Sequence, residues 1–234
     1  MSHYYSKEQN EVESNPSFFN FNFKGLELKF KTDNGVFSKD YIDYGSFALL
    51  KVFEPNNIDL PILDMGSGYG PIGITISRLF NREVYMCEIN ERAYSLSLEN
   101  INNNKANCKA FNSDLYECVK GMKFSSIVTN PPIRAGKNIV FKIYDEAYNH
   151  LEKDGELWVV IQKKQGAPSS KEHIEGLFGN CEIINRDRGY YILKAKKEDW
   201  FSLPFLYYFL PLNRLVYFEA VFCYHISTLR YRIM

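Results

Sequence analysis

The sequence predicts an α/β fold: a doubly wound, mostly parallel seven-stranded sheet with an antiparallel C-terminal strand, plus an N-terminal β-hairpin. Three features carry that prediction. From residue 58 onward, short apolar runs alternate with amphipathic segments of helical length, the order that gives a parallel sheet covered on both faces. The last two apolar runs, 181–186 and 189–195, are separated only by Asp187-Arg188, too little chain for a crossover, so the final strand must be antiparallel to its neighbour. Upstream, residues 19–30 alternate apolar and polar on either side of Lys24-Gly25, which is a hairpin pattern.

Taken in order, residues 1–16 read as a polar lead-in with no apolar stretch of the kind a secretory signal carries. In the hairpin, a two-residue turn pairs Phe23 with Leu26, Phe21 with Leu28 and Phe19 with Phe30, so all six share one face. It is expected to cap or extend the main domain. The turn-rich segment 32–38 leads to a helix over about 44–53. Strands are then expected at 59–64, 84–88, 108–111, 124–129 and 156–161, ahead of the closing pair, with helices at 71–80, 91–104, 138–151 and 168–178. Tyr94, Leu98 and Ile101 share one helix face, as do Ile139, Ile143, Ala147 and Leu151. The domain is expected to span 17–197.

Residues 198–234 break the alternation. They are rich in aromatic and aliphatic side chains, interrupted by Pro204, Pro211, Arg214 and Glu219. A membrane-spanning helix needs about 20 predominantly apolar residues, and a charge at mid-span costs about 2.5–3.5 kcal/mol on insertion scales. The longest uncharged run is the 14 residues 200–213, which hold both prolines. A membrane anchor is therefore disfavoured, and we expect an interface segment or sequence read past the domain's natural end.

The 234 residues carry 45% hydrophobic and 16% aromatic side chains, enough for one α/β domain and far from a disordered composition. The formal net charge is zero, so any attraction to nucleic acid must come from a local patch. The cysteines, at 87, 108, 118, 181 and 223, include no C-x-x-C pair. No metal site or disulfide framework follows, and a cytoplasmic location is expected.

The chemistry is concentrated in the loop Asp64-Met65-Gly66-Ser67-Gly68-Tyr69-Gly70-Pro71-Ile72-Gly73, between the first sheet strand and its helix. Glycine permits positive φ and close backbone approach, and proline suits the first helical position. Such a loop lays N–H groups against a nucleotide-like cofactor. Glu88 ends the next strand, 22 residues after Gly66, where a carboxylate accepts from ribose hydroxyls. Asp114 follows the third strand. Its side chain is placed either to accept from an adenine amine or to cap the turn beginning at Leu115. The fourth strand ends in Asn130-Pro131-Pro132-Ile133. The prolines fix an extended turn and set the Asn130 side-chain oxygen beside the Pro131 carbonyl, two acceptors converging on one point. Held by two acceptors, a planar amine gains tetrahedral character and a lone pair able to attack an electrophilic methyl group.

With these motifs in place the chain resembles the class I S-adenosylmethionine-dependent methyltransferases. Within them it is similar to the small-domain enzymes typified by bacterial 16S rRNA guanine-N2 methyltransferases. The resemblance rests on Gly35-Val36-Phe37-Ser38, Asp43-x-Gly45-Ser46, the glycine loop, Asn90-Glu91-Arg92-Ala93, Asn130-Pro131-Pro132-Ile133 and Gly155-Glu156-Leu157-Trp158, within residues 17–197. It implies a Rossmann-like fold and S-adenosylmethionine as cofactor. Asp64, Gly66, Gly68 and Gly70 would hold the methionine part, Glu88 the ribose and Asp114 the adenine. Asn130, with Pro131 and Pro132, would hold the target amine beside the cofactor. An aromatic often follows Asn-Pro-Pro in the family. Here Ile133 offers an apolar wall instead, and Phe37 can supply a ring. Larger members carry a duplicated N-terminal domain that these residues do not contain, which implies a small or borrowed RNA-recognition surface.

A basic rim fits that surface. Residues 131–142 contain Arg134, Lys137 and Lys142 without an acid, and residues 157–171 contain Lys163, Lys164 and Lys171 without an acid. Both segments follow carboxyl ends of strands, so they would ring one mouth and meet phosphates. The expected partner is ribosomal RNA or a ribosomal subunit, with no metal. Three alternatives compete. The first is methylation of a protein glutamine, which usually goes with tyrosine after the prolines. The second is a non-catalytic cofactor-binding RNA or ribosome-assembly module. The third is a nicotinamide oxidoreductase, for which Asn-Pro-Pro has no role. His3, His150, His173 and His225 lie outside every motif.

Overall fold

The structure, a computed structural model, describes residues 12–198. The chain opens with strands β1 (Ser17–Phe23) and β2 (Leu26–Thr32), which pair antiparallel with Phe19 opposite Phe30, Phe21 opposite Leu28 and Phe23 opposite Leu26. Both turn residues take positive φ, Lys24 at 45° and Gly25 at 83°, the turn whose twist matches that of paired strands. The inward face is the expected one, with Phe23, Leu28 and Phe30 buried.

The hairpin forms its own two-stranded sheet rather than extending the main one. It lies against helix α3 (Glu91–Asn104), which supplies what a neighbouring strand would. Asn100 accepts from the Lys31 N–H at 2.7 Å and donates to the Lys31 carbonyl at 2.9 Å. One turn on, Asn104 makes the same pair of bonds to Lys29, each 2.9 Å. Two amides at i and i+4 thus satisfy the open edge of β2.

The main sheet comprises β3 (Ile62–Met65), β4 (Val84–Glu88), β5 (Cys108–Asn112), β6 (Phe124–Thr129), β7 (Leu151–Gln162), β8 (Glu182–Asp187) and β9 (Tyr190–Lys196). Their order is β5-β4-β3-β6-β7-β9-β8. All pair in parallel except β9, which runs antiparallel to both β7 and β8. The other helices are α1 (Tyr44–Val52), α2 (Pro71–Phe80), α4 (Lys137–His150) and α5 (Ala167–Phe178).

Most boundaries fall within a residue of expectation, and three differences have a clear structural cause. Strand β3 begins at Ile62 instead of 59, because Pro61 has no N–H to give a ladder with partners on both sides. The stretch before it is held by Arg82, whose guanidinium donates to the carbonyls of Asn56, Ile58 and Leu60. Strand β7 begins five residues early by running straight on from α4, with a register shift opposite residues 124–126. The last hairpin turns at Arg188-Gly189, with φ 46° and 82°, since glycine takes the second positive-φ position and Asp187 stays in the ladder.

Two apolar layers sandwich the sheet. Trp158 and Val160 of β7 join Phe53, Ile74 and the hairpin's Phe30 on one face. Leu157, Val159 and Ile161 join Tyr144, Ile174 and Leu193 on the other. Alternate residues of one strand are thus apolar on both sides, and each buried Leu, Ile or Val contributes about 1.5–3 kcal/mol. Strand order reverses between β3 and β6, so α2 leaves to one face and α4 to the other. That divergence opens a crevice at the carboxyl ends of these strands, where ligands of such sheets bind.

Candidate active site

The glycine loop closes on itself before it meets any ligand. The N–H groups of Gly66 and Ser67 donate to the Cys87 carbonyl at 2.9 and 3.1 Å, and that of Gly70 to the Ser67 carbonyl at 3.0 Å. Gly66, Gly68 and Gly70 have φ of 72°, 57° and 97°. Their missing side chains serve two ends. A Cβ at Gly66 or Gly68 would stand in open space, whereas one at Gly70 would come within 2.8 Å of Ile74 and 3.0 Å of Met86. The first two leave room on the crevice side, and the third lets α2 pack on β4.

Asp64, next to last in β3, lies beneath the loop and is 1% exposed. Its Oδ2 accepts the Gly73 N–H at 2.8 Å, while Oδ1 is buried and has no hydrogen-bond partner among the described residues. Burial first, then the nearby Glu88 charge, push the carboxyl pKa up to about 7 against the pull of the Gly73 N–H. The Ser67 hydroxyl, in the same loop, is likewise buried without a partner. Two orphaned oxygens beside two open glycines fit a ligand bearing a cation and donors, as the methionine part of S-adenosylmethionine does.

Glu88 is 8% exposed. Its oxygens accept from Asn90 N–H and Gly68 N–H, each at 2.8 Å, so it locks the loop to the start of α3. Burial raises its pKa while those N–H groups lower it. Asp114 is exposed. The capping considered for it is not made: the short helical turn is Glu117–Val119, its N-cap is Tyr116 and no side chain caps it, while the Ser113 hydroxyl accepts from the Cys118 N–H at 3.1 Å. Ser113, Leu115, Glu88, Gly66 and Pro132 line one small cavity where β3, β4, β5 and the Asn-Pro-Pro turn meet.

Asn130 stands at the carboxyl end of β6, across from the glycine loop. Its Nδ2 donates to Asp43 Oδ1 and to Ser46 Oγ, both at 3.1 Å. Asp43 caps α1, its Oδ1 also accepting from the N–H groups of Gly45 at 2.9 Å and Ser46 at 3.2 Å. Pro131 is buried and Pro132 half-buried, and Ile133 packs on the apolar layer under α4 and α5. Phe37 is 54% exposed. Its loop is tied to the glycine loop by the Tyr69 hydroxyl, which donates to the carbonyls of Ser38 at 3.1 Å and Tyr41 at 3.4 Å. Burial holds the Cys87 thiol well above its usual pKa, so it carries no thiolate here.

The rim is smaller than the acid-free segments suggested. Arg134, Lys137, Lys163 and Lys164 are exposed, with Lys137 Nζ 4.8 Å from the Phe141 ring. Lys142 and Lys171, however, pair with Glu146 at 3.5 Å and Glu175 at 2.8 Å. Each acid lies one helical turn past the segment, beyond the window in which acids were counted. A cation that the sequence reading missed joins the rim. The Lys163 N–H donates to the Gly189 carbonyl at 2.8 Å, which brings the β8–β9 turn alongside, and Arg188 there stacks 4.7 Å above the Tyr44 ring. Asp43 and Ser46 also went unassigned, although an Asp-x-Gly-Ser run before a helical pattern is a cap signature. Among the described residues, no group of three or more His, Cys, Asp or Glu side chains is placed to hold a metal ion, and no helix is long and apolar enough to cross a membrane.

Known proteins resemble this chain in sequence and fold. Residues 27–194 match the family model of the methyltransferase small domain. A Bacillus subtilis (strain 168) protein, "Uncharacterized protein YbxB", is 46% identical over 200 residues, covering 84% of this chain and all of its own length. The ribosomal RNA small subunit methyltransferase C of Vibrio cholerae serotype O1 is 30% identical over 180 residues, 75% of this chain. The match spans only 51% of that protein. Among solved structures, the T. thermophilus 16S rRNA N2 methyltransferase in complex with AdoMet and guanosine superimposes with a TM-score of 0.71. It is 24% identical, over 78% of this chain and 51% of that one, so the likeness is one of fold. With that fold, the glycine loop and the strand-end carboxylates, the chain belongs to the methyltransferase small domain family and is an S-adenosylmethionine-dependent methyltransferase.

Proposed function

We propose that the enzyme methylates the exocyclic N2 amine of a guanine in ribosomal RNA. The observation that carries this reading is the Asn130 amide. Both of its N–H groups face protein acceptors, which leaves Oδ1 to accept from an amine at the mouth of the crevice. With the Pro131 carbonyl as second acceptor, a guanine amine is held by its two hydrogens and its lone pair turns toward the methyl donor. S-adenosylmethionine supplies an electrophilic methyl on a cationic sulfur. The nitrogen–carbon bond forms as the sulfur–carbon bond breaks, and the amine then releases one proton to solvent.

In this reading Asp64, Gly66, Gly68 and Gly70 hold the methionine part, Glu88 the ribose and Asp114 the adenine amine, while Asn130 borders the methyl. Phe37 and Ile133 flank the base, and Arg134, Lys137, Lys163 and Lys164 take phosphates. The ribosomal substrate is supported by the Vibrio relative's name and by the basic rim. Purified protein incubated with labelled S-adenosylmethionine and rRNA or subunits from a strain lacking the gene tests it. Label is expected in guanine nucleosides after digestion. Label absent from RNA but present in a protein glutamine would move the substrate to the alternative class.

A further inference from the structure

We propose that Asp43 and Ser46 are positioning residues for the acceptor amide: they hold Asn130 with its carbonyl oxygen turned to the target amine. This rests on the methyl-transfer reading above.

An asparagine amide presents an oxygen on one side and an NH2 on the other, and half a turn exchanges them. With the NH2 forward, a target amine would meet donors instead of an acceptor. What sets the orientation here is chemically one-sided. A carboxylate only accepts, so Asp43 Oδ1, 3.1 Å away, fixes Nδ2 on its side. The Ser46 hydroxyl takes the second N–H at the same distance. Both donors are thereby used, and Oδ1 of Asn130 meets no donor among the described residues.

The clamp is itself anchored. Asp43 Oδ1 accepts two N–H groups at the start of α1, and Gly45 lies so close beneath Tyr190 that a Cβ there would stand 2.8 Å from its ring. The segment that ends at Asp43 is also tied to the glycine loop through Tyr69. One stretch of chain therefore bridges the side that holds the methyl donor and the side that holds the acceptor. A charge-assisted bond from NH2 to carboxylate also polarises the amide and strengthens its oxygen as an acceptor.

Four variants and three readouts test the proposal. In an amide proton-exchange spectrum, the Asn130 side-chain NH2 of the wild-type protein should exchange markedly more slowly than that of exposed Asn103, and Asp43→Ala should remove the difference. In turnover, Ser46→Ala, which leaves the Asp43 cap intact, should lower kcat about 10-fold and Asp43→Ala about 100-fold, with S-adenosylmethionine affinity within about two-fold of wild type. Asp43→Asn, which keeps an acceptor oxygen and a helix cap, should stay within about three-fold, and Asp40→Ala on the same loop should match wild type. Fast exchange of the Asn130 amide in the wild-type protein would overturn the proposal. So would unchanged kcat in both Ser46→Ala and Asp43→Ala, or a loss of cofactor affinity equal to the loss in kcat. Should the wild-type protein methylate nothing, the functional reading fails by itself, and the exchange rates alone decide whether Asp43 and Ser46 orient the amide.

Discussion

Asp64 is a carboxyl group buried under a glycine loop, with one oxygen satisfied by Gly73 and the other by no described group. Its pKa, raised to about 7, has a definite consequence for stability. Between about pH 4 and 7 the folded chain keeps a proton there that the unfolded chain releases, so stability falls as pH rises through that window, by about 1 kcal/mol per unit. Above pH 7 the penalty is complete and the slope levels. Chemical denaturation at pH 5, 6, 7 and 8 is expected to show that decline, and Asp64→Asn to flatten it. Equal slopes in both proteins would mean that the carboxyl is solvated. At Asn130 the expectation is kinetic: Asn130→Ala should lower kcat at least about 100-fold while the cofactor dissociation constant changes less than about three-fold. Both residues stood out in the sequence because each sits at the carboxyl end of an apolar run, just before a glycine or proline turn. Asp43 and Ser46 did not, since their bonds to Asn130 span more than 80 residues and local patterning shows only the helix cap.

Among elements, α3 does the least expected work. Its apolar face was readable as a period, but Asn100 and Asn104 look in sequence like ordinary polar positions. Only the fold reveals that they stand in for a strand beside β2. Replacing either by alanine leaves a Lys29 or Lys31 backbone pair unsatisfied, for an expected cost of about 1–3 kcal/mol. Hydrogen exchange should accelerate at the affected lysine amide first, and unchanged protection would mean that water replaces the bond without loss. Hairpin register was legible because six apolar side chains must share one face and a two-residue turn fixes the pairing. The start of β3 and the turn at Arg188-Gly189 were misplaced where proline and glycine chemistry overruled the apolar count.

For the whole chain, neutral net charge makes RNA binding a matter for a local patch, and exposed Lys163 and Lys164 are the proposed part of it. Lys163→Ala and Lys164→Ala are each expected to weaken rRNA binding and to lower the slope of log affinity against log salt by about 1. Lys142→Ala, already neutralised by Glu146, should alter the slope little. A binding series across salt concentrations checks all three, and an equal effect of Lys142→Ala would show that the rim lies elsewhere. We propose that residues 17–197 are the catalytic unit; of the stretch 198–234, read as an interface segment or read-through, residues 199–234 lie outside the described residues. The doubly wound, mostly parallel sheet with its antiparallel strand followed from strand–helix alternation, whereas the pairing of Lys142 and Lys171 did not, because it depends on helix turns that a window of sequence cuts. The proposed role of Asn130 is to present a guanine amine to the methyl donor. Nucleoside mass analysis of rRNA from cells lacking the gene, complemented with the wild-type or the Asn130→Ala protein, tests it most directly. N2-methylguanosine should return with wild type and stay absent with Asn130→Ala, and equal levels in the two strains would contradict it.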